Sequence, residues 1–367
     1  MNGPDILALT RDQLFKAVAP QGTPPLPDPL PISPWVAMSL LQKAIRRGEE
    51  NLALRAAATL LHLDPPRLWR RLGCIAFEDI GVGDLDTVFL VTSALAGKTF
   101  RGQLGGEWLV ASFLVSRMAQ APKCRAADDL LIAIEDHPSL KQARSDLVHE
   151  TTRDLLRIVT GSDPLPVRGL ALWYALGTDR RLSKKLPVRR GEPHTAFDYL
   201  CDAGLPHSVV EIAREGFQKT GEVLCPLVAL LASLTLNEPK AVMDDDLPPE
   251  VLIREVPGWA YDLYSREGRA GLERFLQERS ETAQWIRAHI PPSQRVSFLG
   301  GIVFRVEGGL VRRRLQWSVG AELRLRVDVE CQGLNCPDAS RVLDPMRANL
   351  PLLNEVRAHV QQSPLEI

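Results

Sequence analysis

The chain of 367 residues contains no apolar run approaching the roughly 18 residues that a transmembrane helix requires, which excludes a helical membrane span. It has almost no net charge. Its 44 Lys and Arg against 45 Asp and Glu give −1, so no global field attracts nucleic acid and such a partner has to be held by a local basic patch. Cysteine is scattered: Cys74, Cys124, Cys201, Cys225, Cys331 and Cys336 form no framework, and most lie inside apolar helical patterns. With no secretory leader at the start, the expectation is reduced thiols and a cytoplasmic location.

Motifs that carry chemistry are equally scarce. Gly97-Lys98-Thr99 looks like the end of a phosphate-binding loop, but the glycine needed five positions earlier is Thr92, and Leu85 to Ala96 reads as a helix rather than a strand. His149-Glu150 lacks the second histidine of a zinc-protease helix, since position 153 is Arg153. Cys331 and Cys336 have no second cysteine or histidine pair after them, and the seven histidines form no tight cluster. No Gly-x-Ser-x-Gly nucleophile motif occurs. The expectation is therefore a non-enzyme with no cofactor and no metal.

What is present is helix. At 45% hydrophobic and 24% charged residues the composition is that of an ordinary globular protein, long enough for two or three domains. A short helix over Asp5–Val18 is followed by prolines at 24, 25, 27, 29, 31 and 34, which favour an extended linker or strap. Ser33-Pro34 then reads as an N-cap with proline at the first helical position. Leu40, Leu41, Ala44 and Ile45 line one face, and Gly48 ends the helix. A second helix covers Glu49–His62 and Asp64-Pro65 opens a third, with Arg67, Arg70 and Arg71 on its outer side. More helices are expected near 86–96, 107–121, 125–136, 146–159, 166–176, 207–218, 222–235, 260–276 and 281–290. The tract Asn237–Pro249, with three consecutive aspartates, marks a boundary. Val303–Glu307, Leu310–Trp317 and Leu323–Val329 alternate as strands around a Gly308-Gly309 hairpin turn. A helix over Ser340–Gln361 closes the chain.

Three of these features occur together in order: Lys43-Ala44-Ile45-Arg46, Arg70-Arg71-Leu72 and Phe77-Glu78-Asp79-Ile80-Gly81. With Trp108–Met118 and the step Ala121-Pro122-Lys123-Cys124 that follows, they resemble the C-terminal helical domain of the RarA/MgsA replication-associated recombination AAA+ ATPases, relatives of clamp loaders. Cys124 stands where that family usually has serine. The resemblance covers about residues 36–140; only residues 1–35 stand before it, too few for a nucleotide-binding domain. It implies a mainly α, clamp-loader-collar-like helical bundle without its motor, followed by further helices and a small C-terminal antiparallel β-hairpin. The segments expected are 1–35, 36–140, 141–240 and 250–367.

By the same resemblance, Lys43, Arg46, Arg70, Arg71, Glu78 and Asp79 lie where subunits of an oligomer would meet. The acidic pair Glu78-Asp79 at a helix end calls for a cationic partner, such as Arg46, Arg70 or Arg71. Two basic groups are candidates for phosphate contact: Arg180, Arg181, Lys184, Lys185, Arg189 and Arg190 in an exposed loop, and Arg312, Arg313, Arg314, Arg324 and Arg326 on strands beside Trp317, where bases could stack. The second group is also consistent with edge-guarding arginines paired to Glu322, Asp328 and Glu330. The expected function is a DNA replication, repair or recombination accessory that oligomerises or docks to an AAA+ ATPase or clamp-loader-like protein and contacts DNA. A protein-interaction scaffold with no nucleic-acid role is the alternative.

Overall fold

A computed structural model describes residues 5–179, 183, 185–235, 241–327, 330–331, 334–336 and 338–362. The described residues are mainly helical, as the periodicity requires. In chain order the helices are α1 (Ile6–Val18), α2 (Pro34–Arg47), α3 (Glu50–Leu63), α4 (Pro65–Ile75), α5 (Leu85–Ala94), α6 (Lys98–Gln103), α7 (Glu107–Gln120), α8 (Ala126–Asp136), α9 (Lys141–Leu147) and α10 (Thr152–Thr160). They continue with α11 (Leu165–Leu176), α12 (Pro193–Asp202), α13 (His207–Thr220), α14 (Leu224–Thr235), α15 (Arg266–Phe275), α16 (Glu281–His289), α17 (Arg295–Val303), α18 (Ser318–Arg326), α19 (Ser340–Ala348) and α20 (Leu350–Gln362). None of these helices is long and apolar enough to cross a membrane.

The helix ends follow the local chemistry. The Ser33 hydroxyl accepts the Val36 amide, Pro34 occupies the first position of α2, and Gly48 closes it at φ 67°. Asp64 accepts the Arg67 amide at 3.1 Å ahead of α4. α5 precedes Gly97-Lys98-Thr99, so a helix stands where a phosphate-binding loop needs a strand.

The chain divides into two compact units, each assembled from three stretches of sequence. One comprises Met1–Pro24, Trp69–Met243 and Arg314–Val327; the other comprises Pro25–Leu68, Asp244–Arg313 and Asp328–Ile367. The division at Leu68/Trp69 falls inside α4 and inside the 36–140 segment. In the first unit α10 packs on α11, α13 on α14, and α8 against α11, α14 and α18. Trp173, Tyr174, Leu170, Phe197 and Leu227 are buried there. In the second, α2 packs on α3 and α15 on α20. A core of Phe275, Ile286, Phe298, Ile302, Met346 and Leu353 fills its C-terminal part.

Among the described residues the strands form three two-residue antiparallel pairs: β1 (Val242–Met243) with β4 (Arg314–Leu315), β2 (Leu252–Ile253) with β3 (Val256–Pro257), and β5 (Glu330–Cys331) with β6 (Leu334–Asn335). A small C-terminal hairpin is present, but at 330–335. The expected strand at Val303–Glu307, the described part of the one at Leu323–Val329 (Asp328 and Val329 lie outside the described residues) and the turn at Gly308-Gly309 are not formed. Val303 ends α17, Phe304–Gly308 is a π-helical turn, and Leu323 to Arg326 belong to α18, with Leu323 buried and Leu325 exposed. A strand needs a partner ladder. Arg314–Leu315 pairs with Val242–Met243 and the Leu315 amide bonds the Lys123 carbonyl at 2.8 Å, so it offers no ladder to 323–329. A helix satisfies its own backbone and needs none.

Three further expectations change at their boundaries. The helix expected over 260–276 starts only at Arg266, where the Ser265 hydroxyl accepts the Gly268 amide. The helix near 146–159 is interrupted between α9 and α10, where Thr151 caps a new start by accepting the Asp154 amide. The terminal helix breaks at Asn349, four residues after Pro345.

A second π-helical turn, Ala76–Ile80, ends α4. Gly81 leaves it at φ 49°, and a Cβ there would lie 2.7 Å from the Cys124 carbonyl oxygen. Gly81→Ala therefore has to strain the backbone and displace the 121–125 step. We expect it to destabilise the protein by about 1–3 kcal/mol in urea unfolding, whereas Gly22→Ala, with open space around it, leaves the midpoint unchanged.

Candidate functional site

Of the charged residues singled out in the sequence, Lys43, Arg46 and Asp79 are buried. Arg125, just before α8, is buried and gathers the acidic pair. Its guanidinium donates to Asp79 and Asp128 in short hydrogen bonds and to Glu78 at 3.2 Å. The partner of Glu78-Asp79 is thus Arg125 and not Arg46, Arg70 or Arg71. Burial alone would lower the pKa of this guanidinium, but Asp128, Asp79 and Glu78 outweigh it and hold the group charged well above its ordinary value. The Cys124 amide adds bonds to the Asp79 and Ile80 carbonyls at 2.9 and 3.2 Å. The Ala-Pro-Lys-Cys step is therefore fastened to the π-helical turn by backbone as well as by charge.

In the other unit, the Lys43 ammonium donates to the Asp262 carboxylate at 2.7 Å and to the Ser39 hydroxyl at 2.8 Å; the Ser39 hydroxyl donates to Asp262 at 2.7 Å. Burial pushes the Asp262 carboxyl up, but the Lys43 charge and the hydrogen bonds from Lys43, Ser39 and the Tyr264 amide outweigh it, leaving it below the usual carboxylate range. Arg46 and Arg47 are buried and donate to the Gly308 and Glu307 carbonyls at 3.0 and 2.9 Å, which the π-helical turn leaves available. Arg46 lies over Phe304 at 5.4 Å and Arg47 over Trp259 at 4.9 Å. The Glu307 carboxylate takes both terminal nitrogens of buried Arg357, at 3.0 and 3.3 Å.

Lys43, Arg46 and Asp79 are therefore engaged inside their own units. Glu78 and Arg71 are half-buried, and Arg70 is exposed on α4. Of the loop candidates, Arg180, Arg181 and Lys184 lie outside the described residues. Lys185 pairs with Asp136, and Arg189 donates to the Tyr174 and Val148 carbonyls at 3.1 and 2.5 Å. Arg190 is exposed. Asp136 comes to this loop from the end of α8, about fifty positions away in sequence.

Arg312 and Arg313 are exposed in the second unit. The Arg313 amide is held by Asp244 at 2.8 Å and the neighbouring Val311 amide by Asp245 at 2.9 Å. Arg314, Arg324 and Arg326 belong to the first unit, the last two on α18 rather than on a strand, with Arg326 paired to Glu322 at 2.7 Å. Trp317 is buried, so it offers no face to a base.

The structure adds two features the sequence did not single out. Trp35, at the start of α2, is 54% exposed, with the Arg67 guanidinium 5.0 Å over its ring. Leu63, at the end of α3 and 45% exposed, belongs to the same end of the helical pair. In the first unit, Cys201, His207 and Glu211 place one ligand atom each within 4.8 Å of one another, the one such trio among the described residues. The helical spacing of His207 and Glu211 was legible; the return of Cys201 across the α12–α13 corner was not.

No family model, no curated protein and no solved structure matches this chain.

Two outcomes follow from the electrostatics. Arg125→Leu leaves Asp79 buried without its counter-charge and is expected to cost about 3–5 kcal/mol, read from denaturant unfolding at neutral pH. Glu49, beside Glu250, is pushed up to about 7 by burial and by that neighbour's charge. A carboxyl whose folded value is raised contributes stability that is fully present below its ordinary value of 4.5 and lost as pH rises through about 7. Glu49→Gln should flatten the stability–pH curve across that window and make the protein more stable than wild type at about pH 8, measured by urea midpoints in a pH series.

Proposed function

We propose that this chain is a non-enzymatic accessory protein of DNA replication, repair or recombination, acting by oligomerisation or by docking to an AAA+ ATPase or clamp-loader-like protein. The observation that carries this reading is the exposed Trp35, with the Arg67 guanidinium over its ring and exposed Leu63 at the same end of the α2–α3 pair. Tryptophan is usually well buried, and tryptophan and arginine are the residue types most enriched at the energetic centres of protein interfaces. The cluster lies at the start of the stretch that resembles the RarA/MgsA helical domain, which favours an interaction role for that stretch. Lys43 and Arg46 support the reading indirectly, by fixing α2, which carries Trp35. Arg70 is the exposed member of the expected interface group.

DNA contact in this reading falls to the exposed arginines, Arg190, Arg312, Arg313 and Arg324. A second reading, a scaffold without a nucleic-acid role, draws on the internal pairing of the basic set: Lys185 with Asp136, Arg326 with Glu322, and Arg189 with two carbonyls.

Fluorescence anisotropy on single-stranded, duplex and forked DNA across a salt series separates the two. The accessory reading expects affinity to fall steeply with salt, and the log–log slope to drop by about one for each phosphate-contacting arginine changed to alanine among Arg190, Arg312, Arg313 and Arg324. Absence of binding at low salt sinks DNA contact and leaves the scaffold. Sedimentation of the wild type against Trp35→Ala tests the docking surface. Loss of self-association in the variant supports it, while two monomeric profiles together with no capture of a purified AAA+ partner reject it.

A further inference from the structure

The corner between α12 and α13 brings three different donor types together. Cys201 is the penultimate residue of α12. The chain then turns through Gly204, at φ 83°, and the Leu205 amide bonds back to the Leu200 carbonyl at 3.2 Å. Pro206 precedes α13, whose first residue is His207; Glu211 follows one helical turn later on the same side. The Cys201 sulfur lies 3.7 Å from Glu211 Oε1, and all three ligand atoms fall within 4.8 Å of one another.

We propose that Cys201, His207 and Glu211 form a binding site for a borderline-soft divalent cation of the zinc type, held by three protein ligands with a fourth position left to water.

Sulfur, imidazole nitrogen and carboxylate oxygen are the donors zinc takes, at about 2.3, 2.0–2.1 and 2.0–2.2 Å. Around a tetrahedral ion, bonds of those lengths put sulfur and oxygen about 3.6 Å apart, and nitrogen and oxygen about 3.4 Å apart. The sulfur–oxygen separation already matches. His207 is exposed on the first turn of α13 and closes the remaining distance by rotation about its side-chain torsions, without movement of either helix. A thiolate in the set disfavours magnesium and calcium, which take oxygen donors.

The neighbours fit this role. Arg214 reaches Glu211 at 3.3 Å and Asp198 at 2.7 Å. It can orient the Glu211 carboxylate from outside the ligand set while Asp198 balances its charge. The Cys201 thiol donates to Glu211 Oε1 at 3.7 Å in the absence of a cation, and burial and the Glu211 charge push it up. Binding replaces the thiol proton: the S–H bond breaks, a sulfur–metal bond forms, and one proton is released to solvent for each ion bound.

The test uses the full chain stripped with a chelator and titrated with Co²⁺, followed by back-titration with Zn²⁺. The expected result is one equivalent bound, a near-ultraviolet thiolate-to-cobalt charge-transfer band, displacement of Co²⁺ by Zn²⁺, and a rise in melting temperature with Zn²⁺. Cys201→Ser should abolish the band while Cys74→Ser keeps it. His207→Gln, at an exposed position that does not threaten folding, should weaken binding by at least about tenfold. A band that persists in Cys201→Ser, an affinity indifferent to His207→Gln, or the absence of any thiolate band in the wild type each overturns the proposal.

Discussion

A guanidinium or ammonium group removed from water stays charged only where carboxylates or carbonyls replace its hydration, and this requirement organises both units of the protein. In one, Arg125 draws Glu78, Asp79 and Asp128 around itself. In the other, Lys43 with Asp262 and Arg357 with Glu307 do the same, and Arg46 and Arg47 take backbone carbonyls. Each cluster joins elements far apart in sequence: Arg125 to Asp79, Lys43 to Asp262, Arg357 to Glu307. Hydrophobic packing sets the bulk of the stability but tolerates sliding of one helix on another. A buried ion pair does not, because a displaced charge is left unsolvated in a medium of low dielectric constant.

The two π-helical turns belong to the same arrangement. Each π-helical turn, Ala76–Ile80 and Phe304–Gly308, ends its helix, and a helix's last carbonyls find no amide within it. In the first turn, the Asp79 and Ile80 carbonyls accept the Cys124 amide; in the second, Glu307 and Gly308 accept Arg47 and Arg46. Irregular backbone and buried charge thus satisfy one another. Neither is a defect, and Gly81 stands at the exit of the first turn because a side chain there would strike the Cys124 carbonyl.

This economy bears on function. Charged residues in a patterned helix are ordinarily assigned to a solvated face or to a partner, but most of those in Ser39–Gly81 hold the chain's own fold. What the second unit leaves outward beside them is smaller and more specific: Trp35 with Arg67 over its ring, and Leu63. A surface of this kind suits protein docking better than nonspecific phosphate binding, which asks for many unpaired cations along a groove.

The sequence by itself determined the helices, their caps and the absence of a phosphate-binding strand, because hydrophobic period, Ser33-Pro34, Gly48 and Asp64-Pro65 act over one or two turns. It misdirected the reading at 303–329, where a short alternating run has no means of showing whether a partner ladder exists. The strand partner of Arg314–Leu315 is Val242–Met243, about seventy positions upstream. It also could not place the partner of Glu78-Asp79, the acid beside Lys185, or Cys201 beside His207 and Glu211. Those are matters of which distant segments share a unit, and here each unit is drawn from three separate stretches of chain. Local chemistry ends where a turn or a cap ends; charge pairing and ligand geometry act through space, and only the tertiary structure decided them.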